Sequence, residues 1–117
     1  MFKTISREAL ASHIKSANPP ILIEALPARY YLDAHLPGAI NIPHDEIETR
    51  AQIVLPNKAA AIVTYCANTS CQNSGMAART LDRLGYSNVF EYVEGKEDWI
   101  AAGLPTVSVN EETVDAA

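Results

Sequence analysis

The chain has 117 residues, of which 48% are hydrophobic, so it can bury one core without metal or disulfide cross-links. Its net charge of −5 argues against a nucleic-acid partner, because phosphates require a basic surface. No stretch reaches the roughly 18 uncharged apolar residues of a membrane span, and the charged N-terminus is unlike a signal peptide. We therefore expect one cytoplasmic domain, in which cysteines are thiols or a transient redox pair.

The first half of the chain alternates strand and helix signals. "FKTI" predicts a short edge strand, and Ser6 suits the N-cap of a helix over about residues 7–17, which "NPP" ends. "ILIEAL" (21–26) predicts a buried strand, "PARYYLDAHLPGA" a loop with one helical turn, and "AIN" a further short strand. Asp45 and Glu48 then resemble a capping box ahead of an apolar helical stripe.

The second half repeats this alternation. "AAIVTYC" (60–66) is almost continuously apolar, which is typical of a strand covered on both faces. A polar loop follows, then a helix with Ser74 as its N-cap and Gly85 just beyond its end. "NVFEYV" (88–93) predicts a strand, "EDWIAAG" a short helix and "TVSV" a candidate last strand, and residues 110–117 read as an acidic tail.

Strands that alternate with helices predict a three-layer α/β sandwich with a mainly parallel sheet and right-handed crossovers. In such sheets ligands bind beyond the carboxyl ends of the strands. Cys66 is the last residue of the strand that reads as central. We therefore expect Cys66 and the loop after it to form the functional site.

A cysteine between a strand and a helix N-terminus sits in a favourable place for chemistry. Turn amides and the positive helix end favour its thiolate, which is the nucleophilic form, and would also stabilise a persulfide on Cys66. The residues after Cys66 are small or hydrogen-bonding and tolerate turn geometry. The candidate binding residues are Ala67, Asn68, Thr69, Ser70, Cys71, Gln72, Asn73 and Ser74.

Other interpretations of these residues stay open from the sequence. Cys66 could be a small buried hydrophobic residue at a strand end. Cys71, five positions on, could be a bystander, a second nucleophile, or a thiol that closes a disulfide with Cys66 when oxidised. A structural, hydrogen-bonded role is favoured for His35 over that of a base. Arg79 and Arg83 read as solvated residues that could attract an acidic donor.

No set of His, Cys, Asp and Glu residues has metal-ligand spacing, and no Gly-rich phosphate motif is present. We therefore expect neither a metal nor another cofactor. The sequence leaves the oligomeric state open.

Three segments, in order, resemble the rhodanese-like family: "YYLDAHLPGAINIP" (30–43), "IVTYC" with the later "SGMAARTLDRLGY", and "NVFEYVEGKEDWIAAGLPTV". The resemblance covers about residues 5–109. It implies a rhodanese-like domain over 1–109, with a five-stranded mainly parallel sheet, followed by the tail 110–117.

The resemblance also implies a sulfurtransferase. Cys66 would take sulfane sulfur from a donor, carry it as a persulfide and pass it to a thiol or a cyanide-type acceptor. The backbone of residues 67–73 would form the cradle for the sulfur. The implied partner is a small sulfur-donor anion or a persulfide-bearing protein.

Several departures from the family pattern bear on this function. The loop is longer than in ordinary single-domain members and lacks Arg and Lys, so a protein persulfide or a polysulfide suits it as well as thiosulfate. The family's Asp-Val-Arg is here Glu24-Ala25-Leu26, so a structural ion pair is missing or replaced, and Gly95-Lys96 stands for the usual Gly-Gly.

The cysteine spacing resembles a subgroup of the family with a second loop cysteine. The phosphatase and arsenate reductase relatives of the fold need a loop arginine for oxyanions, which this chain lacks. Two alternatives to the sulfurtransferase remain: a Cys66/Cys71 thiol–disulfide redox domain, and a catalytically inactive interaction module.

Overall fold

The computed structural model describes residues 2–109 and arranges them around a five-stranded sheet. The strands are β1 (Lys3–Thr4), β2 (Ile21–Glu24), β3 (Ile40–Asn41), β4 (Ile62–Tyr65) and β5 (Val89–Tyr92). Their order is β1-β5-β4-β2-β3, and every neighbouring pair is parallel, as the alternating pattern predicted. The predicted acidic tail, 110–117, lies outside the described residues.

Helices connect the strands and cover both faces of the sheet. They are α1 (Arg7–Ile14), α2 (Ala28–Asp33), α3 (Ile47–Val54), α4 (Asn73–Arg83) and α5 (Gly95–Ala101), with a 3₁₀ turn at His44–Glu46. Within residues 2–109, none of these helices has the length and hydrophobicity needed to cross a membrane.

Two apolar clusters lie on opposite faces of the sheet. One contains Ala51 of α3 and Leu81 of α4, and the other contains Leu10 of α1 and Trp99 of α5. All residues of β4 are buried, and alternate residues of this strand enter the two clusters. This confirms a central strand covered on both faces, and Cys66 directly follows that strand.

Some helix ends differ from the sequence prediction. The Ser6 hydroxyl accepts a hydrogen bond from the Ala9 amide at 3.1 Å, which confirms the N-cap of α1. That helix ends at Ile14 instead of near residue 17, because the Ser16 amide and hydroxyl both donate to the His13 carbonyl.

The predicted capping box of Asp45 and Glu48 was wrong, because the 3₁₀ turn precedes α3 and no side chain caps that helix. The Ser74 N-cap was also wrong, because α4 begins at Asn73. Gly85 does follow the end of α4, with a φ of +96°. "TVSV" is no strand: Val107 makes an isolated antiparallel bridge with His35.

Candidate active site

Cys66 directly follows β4, which lies between β5 and β2 in the sheet. Its carbonyl accepts a hydrogen bond from the Lys96 amide at 2.8 Å, and the Ala67 carbonyl accepts one from the Glu97 amide at 2.9 Å. These two bonds fasten the start of the loop to the first turn of α5. The backbone around Cys66 is therefore positioned by two separate elements of the fold.

Gly95 makes this close contact between α5 and the loop possible. Its φ is +76°, and a Cβ atom there would lie 2.7 Å from the Cys66 carbonyl oxygen. That separation is shorter than real Cβ contacts allow, and the neighbouring atoms belong to the backbone. The glycine is required both for its backbone conformation and for the space that it leaves free.

We expect Gly95→Ala to destabilise the fold by about 3 kcal/mol, since it combines a left-handed alanine with a backbone clash. Gly103→Ala is the matched control, because Gly103 has a φ of +77° and a methyl group at its Cα would meet no atom within 4 Å. The control should cost about 1 kcal/mol, the conformational part alone. Urea unfolding of the reduced proteins measures both, and equal losses would contradict the steric role of Gly95.

A tight turn folds the loop back over Cys66. The Cys71 amide donates to the Asn68 carbonyl at 3.1 Å, and the Ser70 amide donates to the Asn68 side-chain oxygen at 3.0 Å. The Asn68 side-chain amide also donates to Glu97 at 2.8 Å, which ties the turn to α5. The turn brings Cys71 next to Cys66, and the two cysteines form a disulfide with Cα atoms 6.3 Å apart.

Cys66 is buried, with 1% of its surface exposed, whereas Cys71 is partly exposed. Burial is what the interpretation of Cys66 as a small hydrophobic residue expected. The bonding of Cys66 does not fit that interpretation, because its sulfur is joined to Cys71 and lies 3.3 Å from the Ser74 hydroxyl oxygen. The sulfur therefore sits among polar groups at the floor of the loop.

The loop leaves several backbone donors without acceptors. Within residues 2–109, no acceptor pairs with the amides that open α4, and no side chain caps this helix. Four amides of the loop also have no acceptor within residues 2–109. The unpaired amides belong to Ala67, Asn68, Thr69, Gln72, Asn73, Ser74 and Gly75. Such donors, together with a helix end, are what an anion requires.

Ser74 connects the sulfur to a carboxylate that the sequence patterns did not reveal. Its hydroxyl donates to Glu91 at 2.7 Å, and its carbonyl accepts from the Thr64 hydroxyl at 2.9 Å. Glu91 lies on β5 directly opposite Thr64 of β4. A signal was present: a strand neighbouring β4 carries a carboxylate near its carboxyl end, where parallel sheets place their sites.

A buried ion pair lies beneath the start of α5. The Lys96 ammonium lies 3.2 Å from both oxygens of Glu24, and it also donates to the carbonyls of Tyr30 and Ala34, at 2.9 and 2.6 Å. The Tyr65 hydroxyl donates to Glu24 at 2.8 Å. Glu24 and Lys96, each of which departs from the family pattern, are thus partners. They replace the structural ion pair of the family, which is therefore not missing.

The charges of this pair are held in a nearly dry environment. Glu24 is fully buried and Lys96 is 8% exposed. Burial raises the pKa of Glu24, while the hydrogen bonds from Tyr65 and Lys96 act in the opposite direction. Burial, with Glu24 beside it, also raises the pKa of Tyr65. Because Lys96 is occupied by Glu24 and two carbonyls, it is not available to hold an anion in the loop.

The remaining candidates have the roles that follow from their contacts. His35 Nδ1 lies 2.8 Å from the Tyr31 carbonyl oxygen and its ring stacks on the Tyr31 ring, so its predicted structural role is confirmed. Arg83 pairs with Glu48 at 3.3 Å on the surface. Arg79 lies in the second turn of α4, one turn after Gly75, and its guanidinium lies beside that glycine.

The model of the family described as "Rhodanese-like domain" matches residues 6–102. The chain belongs to the rhodanese-like domain family. A crystal structure of the BH2092 protein of Bacillus halodurans shares the fold of this rhodanese-like domain, with a TM-score of 0.82 and 27% identity. The similarity covers 91% of this chain and 77% of that one.

Two curated relatives are also similar to this rhodanese-like domain. "Putative sulfur carrier protein YrkF" of Bacillus subtilis is 33% identical over 95 residues, which cover 81% of this chain and 49% of that protein. "Thiosulfate sulfurtransferase PspE" of Escherichia coli is 36% identical over 59 residues, which cover 50% of this chain and 55% of that protein. The matches thus span about half the length of these curated relatives.

Proposed function

We propose that this rhodanese-like domain is a sulfurtransferase that carries sulfane sulfur as a persulfide on Cys66. The observation that carries the proposal is the position of the Cys66 sulfur. It follows the central strand, at the base of a loop whose amides and helix N-terminus have no other acceptor within residues 2–109. The names of the two curated relatives, a sulfur carrier and a thiosulfate sulfurtransferase, support the same chemistry.

The reaction begins from the dithiol form of the loop. The Cys66 thiolate attacks the terminal sulfur of a donor written X–S⁻, the bond between X and sulfur breaks, and X⁻ leaves with the electron pair. The product is Cys66–S–S⁻. A thiolate or cyanide acceptor then attacks the outer sulfur and restores the Cys66 thiolate. The unpaired amides of the loop supply the hydrogen bonds that the sulfur anion needs in place of water.

The charges around the loop shape the choice of donor. The loop has no Lys or Arg, Lys96 is bound to Glu24, and the carboxylates of Glu91 and Glu97 contact Ser74 and Asn68. The loop itself thus offers a small dianion such as thiosulfate amides but no cation, and the Arg79 guanidinium lies beside Gly75 of α4. We propose that a persulfide-bearing protein or a polysulfide serves as well as thiosulfate, and that the reaction takes place in the reducing cytoplasm.

Intact-mass measurement of the reduced protein tests this function. The protein is exposed in turn to thiosulfate, a polysulfide and a low-molecular-weight persulfide, and peptide mapping locates any added sulfur. We expect at least one donor to add one sulfur atom, on Cys66, in the wild type or in Cys71→Ser. The absence of added sulfur with every donor in both of these proteins would contradict the proposal.

A second candidate function is a thiol–disulfide redox domain, and the Cys66–Cys71 bond favours it. In that case Cys66 and Cys71 exchange electrons with another dithiol and no sulfur atom moves. Titration of the loop against a dithiol couple, without any sulfur donor, measures this exchange. Normal sulfur uptake by Cys71→Ser would show that the transferase reaction does not depend on it.

We expect Ser74→Ala and Glu91→Gln each to slow sulfur uptake at neutral pH about tenfold or more. The reason is that Ser74 lies between the Cys66 sulfur and Glu91, and so can pass the thiol proton to the carboxylate. The defect should vanish at a pH high enough to ionise Cys66 directly, whereas a defect of folding would persist.

Thr80→Ala is the matched control for this pair, because it removes a hydroxyl of α4 that donates to the Met76 carbonyl of the same helix, at 3.0 Å. Its uptake rate should equal that of the wild type. Unchanged rates in both Ser74→Ala and Glu91→Gln would show that Cys66 loses its proton directly to water.

A further inference from the structure

Cys71, the second cysteine of the loop, lies against the Cys66 sulfur, which would carry the persulfide. The two cysteines are bonded in the structure, and their Cα separation of 6.3 Å falls within the range of ordinary disulfides. Cys71 can therefore reach Cys66 Sγ without movement of the strand or the helix. In the proposed persulfide this atom is the inner sulfur.

We propose that Cys71 resolves the persulfide within the chain and releases sulfide, an inference that rests on the proposed function. The Cys71 thiolate attacks the inner sulfur, Cys66 Sγ, and the bond from Sγ to the outer sulfur breaks. The outer sulfur leaves with the electron pair and takes the proton of the Cys71 thiol. The balance is Cys66–S–S⁻ + Cys71–SH → Cys66–S–S–Cys71 + HS⁻. The sulfane sulfur is reduced, and the two cysteines are oxidised.

The loop is built to deliver this attack. Two hydrogen bonds to Asn68, from the amides of Ser70 and Cys71, hold the turn, and Asn68 itself is tied to Glu97. The attacking and attacked sulfurs therefore begin as neighbours, which greatly favours an intramolecular step over a bimolecular one.

Cys71 has the advantage over an external thiol that it already lies at the inner sulfur. In the disulfide form Cys66 is 1% exposed and Cys71 is in direct contact with it.

A dithiol reductant completes the cycle. It reduces the Cys66–Cys71 disulfide by thiol–disulfide exchange and becomes a disulfide itself. The partly exposed Cys71 is the sulfur that such a reductant can attack. The domain would then act as a reductase of sulfane sulfur, with a dithiol as electron source and hydrogen sulfide as product.

A single-turnover experiment tests this step. Fully reduced wild-type, Cys71→Ser and Cys66→Ala proteins, free of added thiol and oxygen, each receive one equivalent of an aromatic thiosulfonate. Its leaving group is a sulfinate, which is neither a thiol nor sulfide. Released sulfide and intact mass are followed together. Samples without donor control for oxidation by residual oxygen.

We expect the wild type to release about one sulfide per chain and to lose two hydrogens as the disulfide closes. Cys71→Ser should keep the added sulfur and release sulfide at least about a hundredfold more slowly. Cys66→Ala should do neither. Under excess dithiothreitol the wild type should turn over repeatedly.

Different results overturn different statements. If the wild type and Cys71→Ser both keep the added sulfur, or if the sulfur moves to Cys71 without release, the resolving role is wrong and the transferase proposal stands. If Cys71→Ser gains no sulfur while its Cys66 still reacts with iodoacetamide, the transferase proposal fails, and the resolving role fails with it.

Discussion

Replacing Cys66 with alanine is expected to abolish sulfur uptake, with a loss of at least about a thousandfold. Cys66 is the sulfur at the carboxyl end of the central strand, next to the Ser74 hydroxyl, while Cys71 lies on a turn further along the loop. The alanine methyl group offers no thiolate to attack the donor. The measurement is the intact mass of the reduced protein after exposure to each sulfur donor.

Cys71→Ser is the matched control, because it also removes the disulfide but leaves the proposed nucleophile. It should take up sulfur at close to the wild-type rate, which separates loss of the nucleophile from loss of the cross-link. Uptake that survives in Cys66→Ala and disappears in Cys71→Ser would reassign the nucleophile. A reduced wild type in which both cysteines react equally with iodoacetamide, and neither gains sulfur, would favour the inactive interaction module.

Lys96→Met is expected to destabilise the fold by about 4 kcal/mol near neutral pH. The variant leaves the Glu24 carboxylate buried without its ammonium partner, and breaking one side of such a pair typically costs about 3–5 kcal/mol. The carbonyls of Tyr30 and Ala34 lose their donor as well. Denaturant unfolding under reducing conditions measures the loss without a contribution from the disulfide.

The control for Lys96→Met is Arg83→Met, which breaks the surface pair between Arg83 and Glu48. Both of these side chains are about 60% exposed, at 60% and 63%, so the loss should be below about 0.5 kcal/mol. The double variant Glu24→Leu/Lys96→Met removes both buried charges and should recover much of the lost stability. Equal small losses in Lys96→Met and Arg83→Met would mean that Glu24 is not held as a buried carboxylate.

The cost of Lys96→Met should shrink as the pH falls. Burial already raises the pKa of Glu24, and removal of the Lys96 ammonium, which lowers it, raises the folded-state pKa further. A raised folded-state pKa means that the folded state binds more protons than the unfolded state between the two pKa values. The stability that the Glu24 carboxyl contributes is therefore present at pH values below its pKa in the unfolded state. It is lost as the pH rises through its pKa in the folded state. A cost that stays constant from acid to neutral pH would exclude this mechanism.

Local patterns accounted for most of the framework. The continuous apolar run of β4 identified a strand buried on both faces, because only a central strand of a covered sheet has no polar face. The Ser6 cap and the position of Gly85 followed from chemistry within a few residues of each helix end. The place of Cys66 followed from its position after β4, because parallel strands present their carboxyl ends on one edge.

Contacts between residues that are distant in the chain could not be predicted from local sequence patterns. Ser74 reads as an N-cap from its neighbours, but its hydroxyl turns to Glu91, and Glu91 is close only because β4 and β5 pair in parallel register. Glu24 and Lys96 each looked like a lone departure from the family pattern. Their pairing depends on where the fold places the start of α5 relative to the end of β2, which no spacing along the chain encodes.

The amino-acid sequence by itself determined the layered α/β framework and the strand end that carries Cys66, because hydrophobic periodicity and helix-end chemistry are local. The tertiary structure alone decided which polar groups surround that sulfur. It brought Cys71 back onto Cys66 through the Asn68 turn, and it placed Glu91 behind Ser74. These contacts arise where strands and helices far apart in the chain meet, so their geometry exists only once the sheet has formed.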